Sequence, residues 1–517
     1  MRLTDHDLKQ IDEVYLASLS PEQLLYLSRK MLDDLRVARD RLNQTPQNSS
    51  RPSSSMASWA QAKPTPSASQ EEKSEPAKEP VKASPEQDEQ NAKPDLKEPS
   101  ATTAAERKRK PGKQPGAKGV GRRVELPVTG EENHVASHCV ACEAAFSTSE
   151  PFRATTGLYV LDVVREAHGV AISHVKHLYG ERRCGCGHVT RTQPGRCEAE
   201  DGWQVALSEW HLVGPTLASL IICLSLRLRL SRPRIREFLS EWLGVELSVG
   251  CINQCLAEGG RAMAPLEDEL VAEIQSAALL HADETGWKEN GRTVWLWVLT
   301  TSTVTLYLIG RRSWEVIACA LEQYAGWLMS DGYGQYRHYG KRLRCLAHIL
   351  RKARGLAEST HPAAAAFGQQ LLDYLGLFIR GIYQARGDPT LDLPTHFAPQ
   401  LAQLKILCER HRDQPHDKTR QLARELLNDW DAIWQLLAFP ELPITNNVAE
   451  RALRHWVIAR KLSYGTRTHQ GSRAFTLLAS VIDTCRQRGV SPWPYIAQVI
   501  AERRQGNAAP PLPLPVS

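Results

Sequence analysis

The stretch Leu279-Leu280-His281-Ala282-Asp283-Glu284-Thr285-Gly286-Trp287 constrains the fold more than any other in the chain. An apolar lead-in delivers an acidic residue to the end of a strand, and a turn glycine follows. Val294-Trp295-Leu296-Trp297-Val298-Leu299 is aromatic and aliphatic enough to be a buried neighbouring strand. Farther on, Trp327-Leu328-Met329-Ser330 leads into Asp331-Gly332-Tyr333, a second strand-end aspartate before a turn. Much later, Asn446-Asn447-Val448-Ala449-Glu450-Arg451 places a glutamate early in a helix. Three carboxylates, two on strand ends and one on a helix, can converge on divalent cations, because hard cations prefer oxygen ligands.

Around Asp283 the pattern predicts three antiparallel strands, near 278–283, 293–300 and 304–309. A helix over 313–324 follows, then the strand ending at Asp331. Periodicity alone gives mixed α/β. Each carboxylate also has a duller reading. Strand-end aspartates cap turns, a glutamate at a helix start serves the dipole, and Glu450 can complete a capping arrangement with Asn447. Glu284 competes with Asp283, but strand alternation lets only one of them face a metal. After Asp331, Arg344-Cys345-Leu346-Ala347-His348-Ile349-Leu350-Arg351-Lys352 sets His348, Arg351 and Lys352 at helical spacing, where they can face DNA phosphates. Cys345 and His348 alone offer two ligands, too few for a metal site. The block after Glu450 is basic, with Arg451, Arg454, Arg460 and Lys461 suited to holding a DNA strand.

At 517 residues the chain exceeds a single-core size and should hold several domains. The longest apolar run, 217–224, is too short to span a bilayer. The N-terminus lacks the apolar core of a signal peptide. Twelve cysteines in so long a chain do not make a secreted disulfide scaffold. A cytoplasmic protein with no membrane partner is the expectation.

Residues 1–43 read as an N-terminal helix, with Ser20-Pro21 at its start and leucines recurring every seven residues. It serves either as a short coiled coil for self-association or as a helix docked on its own chain. Residues 44–106 are rich in Ser, Pro, Lys, Glu and Gln and read as a disordered linker. The arm 107–123 carries eight basic residues and no acidic one, among them Arg107, Lys108, Arg109, Lys110, Lys113 and Lys118. An extended cationic arm of this kind suits DNA phosphates or a minor groove. Over 124–200, Cys139 and Cys142 with Cys184 and Cys186 can supply four thiolates to a structural zinc in a small ribbon, and His138 and His188 are substitute ligands. The second pair has one intervening residue, fewer than the usual two. Residues 201–270 read as helices. Those over 233–243 and 248–257 flank a Gly244 turn, as in a helix-turn-helix. The 353–442 stretch is a helical insertion, and the proline-rich 501–517 is expected to be a disordered tail.

These pieces, His281 to Trp287, Asp331-Gly332-Tyr333, Cys345-Leu346-Ala347-His348 and the block from Ile444 to Lys461, resemble the IS66 family of insertion-sequence transposases. The resemblance implies a ribonuclease-H-like catalytic core over 271–352 and 443–500, and a DDE triad of Asp283, Asp331 and Glu450 on two Mg2+ (or Mn2+) ions. It implies DNA as partner, as terminal repeats and as target. A zinc-binding segment near the cysteines and small accessory proteins from the same element are likewise implied, and a homo-oligomer is expected. Leu346 and Tyr464-Gly465-Thr466 depart from tryptophans common in the family. Two other functions remain open on the residues: a DNA-binding protein without catalysis, and a metal-dependent nuclease that cuts without joining.

Overall fold

The computed structural model describes residues 11, 13–44, 48, 126–148, 150–198 and 202–516. The basic arm and nearly all of the linker lie outside the described residues. At the N-terminal end, α1 (Glu13–Ser18) precedes α2 (Pro21–Leu42), where Ser20 and Gln23 cap each other reciprocally. The far end of α2 is docked on its own chain. Asp40 accepts from the Thr360 N–H at 3.0 Å and from the Ser359 hydroxyl. Leu25, Leu32 and Leu35 stay exposed.

The next four strands, β1 (Gly130–His134), β2 (Arg153–Glu166), β3 (Gly169–Arg183) and β4 (Val189–Arg191), make one sheet. Its order is β1-β3-β2, with β4 also on β3; β1 runs parallel to β3, and the others pair antiparallel. Asp162 of β2 joins this sheet to the helices that follow. Its carboxylate accepts the Leu217 N–H at 2.6 Å and the Thr216 N–H at 3.4 Å, at the start of α3 (Pro215–Ile222). A Cβ on Gly214 would stand 2.3 Å from that carboxyl group, so only glycine fits.

Helices α4 (Arg232–Leu243) and α5 (Val249–Met263) flank Gly244, whose positive φ of 62° ends α4 in a left-handed cap. Ser248 caps α5, as the sequence suggests, but α5 runs six residues beyond Ala257. Ten of its residues are buried, and its exposed positions near the start are Gly250, Asn253 and Gln254. Gly260 lets it approach a later helix closely, since a Cβ there would meet Ala474 at 2.3 Å. The helix placed to read DNA is thus a core helix. α6 (Glu267–Ser276) then leads into the central sheet.

That sheet holds β5 (Leu279–Glu289), β6 (Arg292–Thr300), β7 (Thr305–Gly310), β8 (Trp327–Ser330) and β9 (Arg342–Arg344), with α7 (Glu315–Leu321) between β7 and β8. The order is β7-β6-β5-β8-β9, antiparallel across β5, β6 and β7 and parallel across β5, β8 and β9. The sequence reading ended the first strand at Asp283 and took Gly286 as the turn. Instead β5 pairs with β6 as far as Glu289, and the turn is Asn290-Gly291, both at positive φ as a primed two-residue hairpin demands. Asp283 is a strand end only toward β8, whose pairing with β5 stops at His281.

Helices fill the stretch between β9 and residue 438. α8 (Leu346–Ala357), α9 (Pro362–Gly387), α10 (Leu393–His396), α11 (Ala398–His411), α12 (Asp417–Asn428) and α13 (Trp430–Ala438) share a core with Met329, Leu343 and Cys345. Phe367, Leu371, Leu375, Phe378 and Ile382 recur at helical spacing on the buried stripe of α9. α14 (Asn447–Ser463) and α15 (His469–Gln487) return to the sheet, where Leu453, Trp456 and Phe475 pack on Trp287, Val298 and Tyr307.

α16 (Pro492–Arg504) closes the fold. Its Arg504 pairs with the fully buried Glu258 of α5 at 2.6 and 2.8 Å. The expected disordered tail is a correction: residues 501–504 finish α16, and the proline-rich segment after it folds back. Leu512 is buried, its N–H donates to Glu269 at 3.0 Å, and Arg488 donates to the Pro513 carbonyl at 2.8 Å. Proline removes backbone donors but leaves its carbonyls, and side chains of the core use them.

Candidate active site

Where β8 stops, the chain turns at Asp331, whose Oδ1 accepts the Tyr333 N–H at 2.8 Å. Asp283 of β5 accepts the Glu284 N–H at 2.9 Å. Burial pushes the Asp283 carboxyl well above the usual range, and the charges of Asp331, Glu284 and Glu450 push it the same way. Asp331 and Glu450 are therefore each within electrostatic reach of Asp283, although Glu450 lies beyond the whole helical insertion in sequence.

Glu284 has other partners. Arg312 donates to its Oε1 at 2.7 and 3.1 Å, and the Tyr336 hydroxyl donates to its Oε2 at 2.7 Å. Tyr336 is fully buried, and its hydroxyl is pushed well above its usual range by that burial and then by Glu284. Arg312 is sandwiched between the Trp295 and Tyr333 rings, 4.1 and 4.0 Å from their centroids. Among the described residues, no cation pairs with Asp283 or Asp331.

Glu450 sits in the first turn of α14, but not in a capping box with Asn447. The N-cap is Asn446, whose side chain is turned inward. Its Nδ2 donates to the Ala282 carbonyl at 2.7 Å, its Oδ1 lies 3.0 Å from His281 Nδ1, and its backbone N–H donates to Cys345 Sγ at 3.2 Å. Fully buried, Asn446 ties β5, the β9–α8 junction and α14 at one point. The sequence marks this asparagine only as a polar residue between apolar Ile444 and the helix, which gives it no task without the fold.

The basic residues divide into two sets. Arg351 donates to Glu450 Oε1 at 3.0 Å, and Lys352 to Glu425 at 2.6 and 2.8 Å. His348 lies mostly buried with Nε2 3.6 Å from Glu450, and burial, then the Arg351 charge, lowers its pKa to about 4. With Glu450 present, Cys345 and His348 gain the third ligand that the sequence alone denied them; their ligand atoms lie within 4.8 Å of one another. Arg460 donates to Thr285 Oγ1 at 3.1 Å and to the Gly286 carbonyl, so it braces β5. Arg451, Arg454 and Lys461 are exposed along the outer side of α14.

In the small sheet, Cys139 Sγ lies 3.7 Å from Cys186 Sγ, and Cys142 Sγ 3.6 Å from Cys184 Sγ. A tetrahedral zinc with bonds of about 2.3 Å holds its sulfurs about 3.8 Å apart. The cluster is thus compatible with zinc, and the donors are four thiols rather than His138 or His188. The backbone N–H of Cys142 does most to bring the Cys139 thiol down to about 6. The short Cys184-Gly185-Cys186 spacing closes through a tight turn in which the Gly187 N–H donates to the Cys184 carbonyl at 2.9 Å.

No helix among the described residues is long and apolar enough to cross a membrane. Curated proteins of Sinorhizobium fredii resemble this chain. The one named "Uncharacterized protein y4qI" is 23% identical over 303 residues, 51% of this chain and 54% of that protein. "Uncharacterized protein y4jO" is 28% identical over 185 residues, 36% of this chain and 55% of its own length. The chain spans about half the length of the curated relatives it matches. A model of the family described as "Transposase IS66 family" matches residues 211–474, which run from just before α3 into α15 and include all three carboxylates. With half of its length matched by that family, the chain belongs to the IS66 family of transposases.

Proposed function

We propose that the protein is a DNA transposase that cuts and joins DNA at the ends of its own mobile element, through Asp283, Asp331 and Glu450. The observation that carries this reading is the approach of Asp331 and Glu450 to Asp283 at a half-buried place where, among the described residues, no cation pairs with either aspartate. Like charges held together this way fit a site completed by divalent metal. Asp283 and Asp331 would hold the ions between them, and Glu450 would add a ligand through Oε2 while Oε1 stays on Arg351. Bound Mg2+ or Mn2+ would make a water or a 3′-hydroxyl a better nucleophile and stabilise the leaving oxygen. Asn446 would hold the start of α14 against β5, and so Glu450 in register with Asp283.

The strand order, with three antiparallel strands, a helix and then parallel β8 and β9, supports a ribonuclease-H-like core over 271–352 and 443–500 interrupted by the insertion. The exposed Arg451, Arg454 and Lys461 would contact DNA phosphates, and the cysteine cluster would hold a structural zinc. The test is a strand-transfer assay on element-end DNA with Mg2+. Asp283→Asn should abolish both cleaved and joined products while DNA binding persists. Products unchanged in the variant would sink the triad. Cleavage without joining in the wild type would favour a nuclease.

A further inference from the structure

The β1–β4 sheet carries a second group of ligating side chains that transposition chemistry leaves unused. In the parallel β1–β3 ladder, Glu132 stands opposite His177 and His134 opposite Tyr179. Residues two apart on a strand share a face, so these four side chains line one side of the sheet. His134 Nε2 lies 2.9 Å from His177 Nδ1, and Glu132 Oε2 lies 3.4 Å from the same nitrogen. All three ligand atoms fall within 4.8 Å of one another. A tetrahedral ion with bonds of about 2.0–2.1 Å sets its ligand atoms about 3.3 Å apart. The glutamate–histidine pair already fits, and the histidine pair needs to open by about 0.4 Å, within reach of small side-chain rotations.

The surroundings hold these groups in place. The His134 ring stacks on Tyr179, with centroids 4.2 Å apart and planes 1° from parallel. Tyr179 donates its hydroxyl to Glu209 at 3.1 Å, and Glu209 also accepts the Gly195 N–H at 2.7 Å. Outer partners of this kind fix the direction of a ligating ring. A cavity of about 120 Å³, lined by both histidines, Tyr179 and Glu209, opens beside them and has room for a water as fourth ligand.

We propose that Glu132, His134 and His177 form a binding site for a divalent transition-metal ion, separate from the cysteine cluster. Two imidazoles and one carboxylate suit zinc, with cobalt as a close substitute. The ion joins the short edge strand β1 to β3, which otherwise meet through a five-residue ladder and the Lys176–Glu131 pair at 2.8 Å. It shares no donor with the cysteines, and His177 is seven residues, roughly 20 Å of extended chain, from Cys184.

The experiment uses the full chain, purified with zinc in its cysteine cluster and titrated with Co2+. Visible absorption and elemental analysis report uptake, and circular dichroism checks folding. The wild type should bind one more equivalent than His134→Ala, and Asp283→Asn one more than the double variant Asp283→Asn/His134→Ala, with the thiolate–metal absorption unchanged. Glu132→Gln alters an exposed side chain and is not expected to disturb the fold, so it tests the site even if His134→Ala unfolds. It should weaken the extra equivalent by about tenfold or more. Equal uptake and affinity in the wild type, His134→Ala and Glu132→Gln overturns the proposal. So does an extra equivalent lost only in Asp283→Asn, which would place the ion at the carboxylates of the central sheet.

Discussion

Two groups of carboxylates flank the central sheet, and their charge is met in opposite ways. Asp429, 2% exposed, is met by Arg337 at 2.8 Å, Arg342 at 2.6 Å and Arg344 at 3.0 Å. Its neighbour Glu425 takes Arg344 at 2.5 Å and Lys352 at 2.6 Å. Burial alone would push Asp429 up, but the hydrogen bonds from Arg337 and Arg342 outweigh it and hold the carboxyl below its usual range. Asp283 has no such cations and is pushed well above that range. Charge compensated within the chain fastens the insertion to β9. On the proposed reading, charge left uncompensated at Asp283 is met by a divalent cation from solution.

The contrast breaks most visibly at the compensated site. Asp429→Ala leaves the buried Arg342 without its counter-charge and Arg344 with Glu425 alone, a loss of about 3–5 kcal/mol. Urea unfolding should show a much lower midpoint, and a shift no larger than that of a surface substitution would refute the structural role. The pH dependence follows from the depressed folded pKa. The stability that Asp429 contributes is present above its unfolded value of 3.8 and is lost as pH falls through the lower folded value. The gap between the wild type and Asp429→Asn should therefore narrow only in acid, below about pH 4.

A smaller effect is expected at Asn446, which touches the uncompensated site without being charged. Asn446→Ala removes two side-chain hydrogen bonds in a closed interior and leaves the Ala282 carbonyl unsatisfied, about 2–3 kcal/mol in all. If Asn446 also sets the position of Glu450, Mg2+ should stabilise the variant less than the wild type in a thermal melt. An equal gain from Mg2+ in both would confine Asn446 to stability.

Much of this arrangement was legible in the residues, and what was not has physical causes. The apolar 294–299 run, the strand before Asp331 and the helical insertion follow from periodicity, because each buries one continuous face. Asp283 was misplaced at a strand end because Gly286 reads as a turn, whereas the Asn290-Gly291 pair made the turn. Strand lengths depend on pairing, and pairing is not local. Arg460, Arg351 and Lys352 looked like DNA contacts by charge alone. Their partners, the Gly286 carbonyl, Glu450 and Glu425, lie far away in sequence. The ordered tail was missed for the same reason: prolines suggest an unpaired segment, but Arg488 and Glu269 bind its backbone.

The least disruptive substitution gives the sharpest form of the comparison. A carboxyl whose folded pKa is raised above its unfolded value of 3.8 binds its proton more tightly when folded. Its ionisation therefore opposes folding increasingly as pH rises above 3.8, and the penalty is complete once pH exceeds the folded value. At neutral pH and without divalent metal, Asp283→Asn should be the more stable protein, by a gain on the order of 1 kcal/mol, as when a destabilised active site is relieved. Mg2+ should reverse the order, because it binds the native wild type and has lost a ligand in the variant. Paired melting curves in chelator and in Mg2+ decide the matter. If the two curves keep the same order in both solutions, Asp283 is a buried carboxyl with no metal to wait for, and it differs from Asp429 only in lacking arginines.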